Sequence, residues 1–173
     1  MRAALQFRSF IIAAFAGLLL AACAKSAPPT PPAPAKAVEP WQNDYAAAVA
    51  QAKQENKKIL LNFTGSDWCV NCFRLDDDVF SQPAFAAYVQ SHLTLVQLDF
   101  PIHKELPAAL TKQNESLQEK YSVENLPTLV LLDADEHELA WIEGYHGEGV
   151  AGLIAELEHP APLPAPKPSH PSN

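Results

Sequence analysis

Lys58-Ile59-Leu60-Leu61-Asn62-Phe63-Thr64-Gly65-Ser66-Asp67-Trp68-Cys69-Val70-Asn71-Cys72 joins two patterns that belong to different secondary structures. Lys58 to Phe63 is a short apolar run suited to a buried strand. Thr64-Gly65-Ser66-Asp67 breaks it, and Trp68 to Asp77 resumes as a helix. Two cysteines therefore stand three residues apart in the first turn of a helix that follows a strand. That spacing brings their Cα atoms within the ~4.4–6.8 Å that a disulfide requires. The ring so closed is tiny and adds little stability, which suits reversible chemistry better than stapling. At the junction Cys69 meets the free N–H groups and the positive end of the helix dipole, and both favour the nucleophilic thiolate. Cys72, one turn deeper, is expected to be the more shielded of the two.

The chemistry expected from this pair is thiol–disulfide exchange, in which Cys69 attacks a partner disulfide and Cys72 resolves the mixed disulfide. Other readings compete. A structural zinc site needs four ligands, yet there is no second Cys-x-x-Cys, Cys23 is remote, and none of the six histidines is close in sequence. Haem attachment wants a histidine at position 73, where phenylalanine stands. A non-catalytic carrier could use the two sulfurs as soft ligands for Cu(I), but no Met-rich or His-rich segment supports it and Met1 is the sole methionine. Inert packing of two cysteines, or a docking module whose proline tails carry the function, completes the set. No metal and no cofactor is expected.

Outward from this segment, Gln42 to Asn56 reads as a helix, with Tyr45, Val49 and Ala52 at helical spacing. A short helix is predicted to begin near Ser81, taken as its N-cap, with Pro83 in the first turn. Leu93 to Asp99 is a second strand. Glu105 to Tyr121 is helical in pattern, with Leu106, Leu110, Leu117 and Tyr121 as the inner face. Thr128 to Leu132 is a continuous apolar strand of the kind covered on both faces. A turn over Asp133 to Glu138 leads into Leu139 to Glu143, and Val150 to Leu157 makes the last helix. The order predicts an α/β fold with a central mixed sheet between helices.

Three landmarks in this order resemble the thioredoxin-like fold. They are the apolar strand running into Asp67-Trp68-Cys69-x-x-Cys72, the loop Val123-Glu124-Asn125-Leu126-Pro127-Thr128, and the hairpin over Asp133 to Trp141 with its closing helix. Within that superfamily, Asp-Trp-Cys-Val-x-Cys followed by Val79-Phe80-Ser81-Gln82-Pro83 is similar to the C-terminal periplasmic domain of DsbD-type disulfide interchange proteins and to related stand-alone lipoproteins. The resemblance implies that Leu126-Pro127 is cis and lines a substrate groove, and that Trp68 shields the thiols. It also exposes a departure. With Phe63 aligned to the family's strand-end phenylalanine, Asn62 stands where thioredoxins carry a buried acid. Asp76, four residues beyond Cys72 on the same helical face, is the candidate substitute, and a carboxylate there would raise the thiol pKa by like-charge repulsion. Val70-Asn71 lacks the histidine of strongly oxidising relatives, so the resemblance leans to a reductant, with an isomerase or oxidase as the alternative.

The remaining chain reads as an address and two tails. Arg2 and Arg8 flank a short n-region, and Phe10 to Ala22 is almost wholly apolar. At about 1.5 Å per residue that run makes a helix of roughly 20 Å, too short for a bilayer core of about 30 Å. Residues 1–22 are therefore expected to be a signal peptide. Leu20-Ala21-Ala22-Cys23 resembles the bacterial lipobox, which implies lipidation at Cys23 and a periplasm-facing protein anchored to a membrane, the outer one favoured by Ala24. Of the 16 prolines, 12 fall between Pro28 and Pro40 or between Pro160 and Pro171. Residues 23–40 are thus expected to be a tether and 159–173 a disordered tail, bracketing a single domain over 41–158. The net charge of −8, with no basic stripe, argues against nucleic acid. The expected partners are disulfide-containing exported proteins and, by the resemblance, a membrane-embedded thiol electron donor.

Overall fold

The computed structural model describes residues 41–163. Cys23, the signal segment and the tether lie outside the described residues, as does the tail from residue 164 onward. Helix α1 (Tyr45–Glu55) leads into strand β1 (Lys58–Thr64). Helix α2 (Val70–Leu75) passes directly into a π-helical turn, Asp76–Phe80. There follow α3 (Pro83–His92), β2 (Leu93–Asp99), α4 (Ala108–Lys120), β3 (Thr128–Leu132), β4 (Glu138–Glu143) and α5 (Gly149–Glu158).

The four strands form one sheet in the order β2-β1-β3-β4. β1 runs parallel to β2 and antiparallel to β3, and β3 is antiparallel to β4. Alternating side chains of β1 reach opposite cores. Leu60 packs with Leu75, Phe80 and Phe85 beneath the π turn, α3 and α5. Ile59, Leu61 and Phe63 pack with Ala48, Ala52 and Leu117 beneath α1 and α4. Burial on both faces is why β3 reads as a near-continuous apolar run, and why β1 and β2 are mostly apolar on both sides.

Several helix boundaries differ from the predicted ones. α1 starts at Tyr45 because Gln42 is held as a strand: its N–H donates to Leu95 O (3.0 Å) and its carbonyl accepts from Gln97 N (2.8 Å). Asp44 then caps the helix through Ala47 N. The buried stripe is Ala48 and Ala52, while Tyr45 and Val49 are only half-buried. Ser81 does not cap α3. It closes the π turn, donating its hydroxyl to Asp77 O (2.8 Å), and Gln82 is the N-cap. α4 starts at Ala108, since Pro107 bars Leu106 from helical backbone and becomes the N-cap itself. On its inner face Asn114 is buried, with Nδ2 donating to Asp99 O (2.9 Å), whereas Leu106 and Leu110 are half-buried.

Candidate active site

β1 ends at Thr64 and the chain turns at Gly65. A Cβ at Gly65 would stand 2.5 Å from the indole of Trp68, so only glycine leaves room for that ring. The turn delivers Cys69 as the N-cap of α2 with extended backbone (φ −84°, ψ 100°). Its sulfur accepts a hydrogen bond from Cys72 N (3.2 Å), and its own N–H donates to Gly65 O (3.0 Å). Cys69 and Cys72 are joined, with S–S at 2.04 Å and Cα–Cα at 5.2 Å. Both cysteines are 5% exposed, so the extra shielding expected of Cys72 is not observed in the disulfide form. One helical turn separates their backbones, yet the bonded pair is buried to the same extent as residues.

Trp68 is 42% exposed; its indole lies over Gly65, and Nε1 donates to Phe100 O (2.8 Å). The Leu126–Pro127 bond is cis. Because Thr128 pairs with Phe63, Pro127 sits at the end of the sheet from which the cysteine loop departs. Pro127 O accepts from Gly144 N (2.8 Å), which ties that proline to the loop after β4.

Behind Cys72 lies a cavity of about 210 Å³, lined by Asn62, Thr64, Ser66, Gln97 and Asp76 among others. Asn62 and Gln97 are neighbours across the β1–β2 pairing, and the Asn62 Oδ1 is buried without a hydrogen-bond partner. Asp76, an exposed residue that also lines this cavity, has its carboxyl pushed up first by partial desolvation and then by the charge of Asp77. The folded protein therefore holds that proton to a higher pH than the unfolded chain does. Its contribution to stability is full in acid and is lost as pH rises through the raised value. We expect Asp76→Asn to be the more stable protein at neutral pH and to lose that advantage below about pH 4. Solvent screening at this exposed carboxyl holds the difference under about 1 kcal/mol. Urea midpoints across pH read it, and a variant less stable at pH 7 contradicts the assignment.

Two further acids hold the site together through bonds that the sequence does not show. Asp99, buried at the end of β2, accepts from Ser66 N (2.9 Å) and Ser66 Oγ (2.7 Å) and pairs with Lys104 (3.0 Å). Asp67 accepts from Ile102 N (3.0 Å) and His103 N (2.7 Å). Desolvation pulls the Asp67 carboxyl upward, but those two N–H groups, with the charges of His103 and Lys104, outweigh it and hold it below its ordinary range. The local signal is an acid ending a strand and another beside the cysteines; their hydrogen-bond donors lie more than thirty residues away in the chain.

Residues 40–134 match the family model described as thioredoxin-like. The chain belongs to the thioredoxin-like family. It is 34% identical over 118 residues to the disulfide bond reductase DsbH of Chlamydia pneumoniae, covering 68% of this chain and 70% of that one. It is 29% identical over 119 residues to the thioredoxin-related protein DsbJ of the same organism, covering 69% of this chain but only 34% of that relative. A solved structure of a DsbH oxidoreductase superposes with a TM-score of 0.66 at 34% identity, covering 72% of this chain and 85% of the other. A thioredoxin-like domain that bonds Cys69 to Cys72 at the start of α2 is a thiol–disulfide oxidoreductase. Among the described residues no helix is long and apolar enough to cross a membrane, and no group of three or more His, Cys, Asp or Glu could hold a metal ion.

Proposed function

We propose that this thioredoxin-like protein works as a reductant for disulfides of exported proteins, with Cys69 as the attacking sulfur and Cys72 as the resolving one. The observation that carries the assignment is the N-cap hydrogen bond from Cys72 N to Cys69 Sγ. An N–H aimed at that sulfur favours its thiolate in the reduced protein. The Cys69 thiolate attacks one sulfur of the partner disulfide and releases the other as a thiolate. Cys72 gives up its proton and attacks Cys69 Sγ, freeing the second partner sulfur. Two electrons pass to the partner, and the Cys69–Cys72 disulfide remains.

Trp68, Leu126 and Pro127 form the support around this exchange, with Pro127 at the mouth through which a partner approaches. Asp76 is the acid nearest to the role that Asn62 cannot fill, since both line the cavity behind Cys72. The reducing direction is supported by similarity to a relative named as a disulfide bond reductase. Lipidation at Cys23 would hold the domain to a bacterial membrane, facing the periplasm. There a membrane-embedded thiol donor would return the two electrons by the same exchange. The test is the reduction potential of the Cys69–Cys72 couple, equilibrated against glutathione. A value near about −270 mV is expected, and one near about −120 mV would assign an oxidant instead.

A further inference from the structure

Five large apolar side chains are exposed among the described residues, and four of them lie in the cysteine segment or in the loop bound to it. Trp68, Val70 and Phe73 belong to the Cys69–Cys72 segment itself. Ile102, 66% exposed, comes from the loop after β2. An isoleucine held in water gains nothing from folding, and a cluster of such side chains marks a surface that something else covers.

What holds Ile102 there is Asp67. Its Oδ1 accepts from Ile102 N and its Oδ2 from His103 N, so one carboxylate spans two successive peptide groups. Around that clasp the same two segments are joined three more times: Trp68 Nε1 to Phe100 O, Phe100 N to Thr64 O, and Ser66 to Asp99. The loop is thus bolted to the residues immediately before Cys69.

We propose that Asp67 is a positioning residue that fixes Ile102 as the second wall of the docking face, and that this face takes an extended, apolar segment of the partner polypeptide. The inference rests on the exchange reaction assigned to Cys69. Two observations choose the occupant. Cys69 is 5% exposed between neighbours that are 42% and 68% exposed, so the sulfur is recessed below its rim. A partner must lower its disulfide between Trp68 and Val70, which an extended strand does and a flat folded surface does not. The rim meeting the residues beside that disulfide is apolar, so those residues are apolar too.

The experiment compares insulin, a polypeptide disulfide, with glutathione disulfide, a small substrate that carries no apolar chain segment beside its disulfide. Asp67→Ala is expected to raise KM for insulin by roughly threefold to tenfold with kcat held, and to leave the glutathione disulfide rate and the reduction potential unchanged. Ile102→Ser alters only a solvent-facing side chain and should give the same KM increase. The double variant should do no worse than either single one, because both act through one side chain. Insulin KM unchanged in both variants overturns the docking face. Equal losses on the two substrates, or a shifted potential in Asp67→Ala, overturn it as well, by showing that Asp67 acts on the cysteines. A wild-type protein that reduces neither substrate overturns the exchange reaction itself, and this inference with it.

Discussion

Cys69→Ser loses turnover of protein disulfides by at least about 10³-fold, while Cys72→Ser still attacks but stops at a covalent complex with its partner. A serine hydroxyl is un-ionised at neutral pH, so the hydrogen bond that Cys72 N now gives to Cys69 Sγ would fall on a group with no nucleophilic form to stabilise. Accessibility does not choose between the sulfurs, since both cysteines are exposed to the same 5%. The choice rests on the N-cap position of Cys69 and on the direction of that one N–H. In Cys72→Ser the attack proceeds, nothing displaces the partner from Cys69, and the adduct accumulates. Non-reducing gels and intact mass, run in the protein's own host, read both results. If Cys69→Ser captured partners and Cys72→Ser did not, the roles of the two sulfurs would be reversed.

The parts of the fold that the sequence displayed are those set by local pattern. Leu93–Asp99 and Thr128–Leu132 have the predicted limits because each is a short stretch rich in apolar and β-branched residues that stops at an aspartate, at its end or just after it. The helix ends were blurred where tertiary bonds override propensity. Gln42 fits a helix by composition but is claimed by β2, and Asn114 occupies an inner position that a hydrophobic count assigns to leucine. The π turn at Asp76–Phe80 has no signature in three consecutive aspartates. At the site, the cysteine pair was legible because its spacing is its geometry. The cis bond before Pro127 was reachable only through the family resemblance, and the hydrogen bonds that Asp67 and Asp99 accept not at all, because each joins segments that meet only in the folded chain.

Phe63→Ala is expected to destabilise the domain by about 3–5 kcal/mol, against a total of about 5–15 kcal/mol for a domain of this kind. Phe63 is fully buried, and it packs against Phe100 and Tyr121 with ring centroids 6.4 Å away in each case. Those rings come from the loop after β2 and from the end of α4, so one side chain joins three parts of the chain. Phe63→Leu keeps much of the volume and should recover a large part of the loss. The same substitution separates stability from chemistry. Asn62 and Thr64 line the cavity behind Cys72, whereas Phe63, by the alternation of a strand, faces the opposite core beneath α1 and α4. Denaturant midpoints should therefore fall steeply while the reduction potential of the folded protein stays at the wild-type value. A potential that moves along with stability would mean that the two faces of β1 are not independent, and that the core under α1 reaches the disulfide through the strand itself.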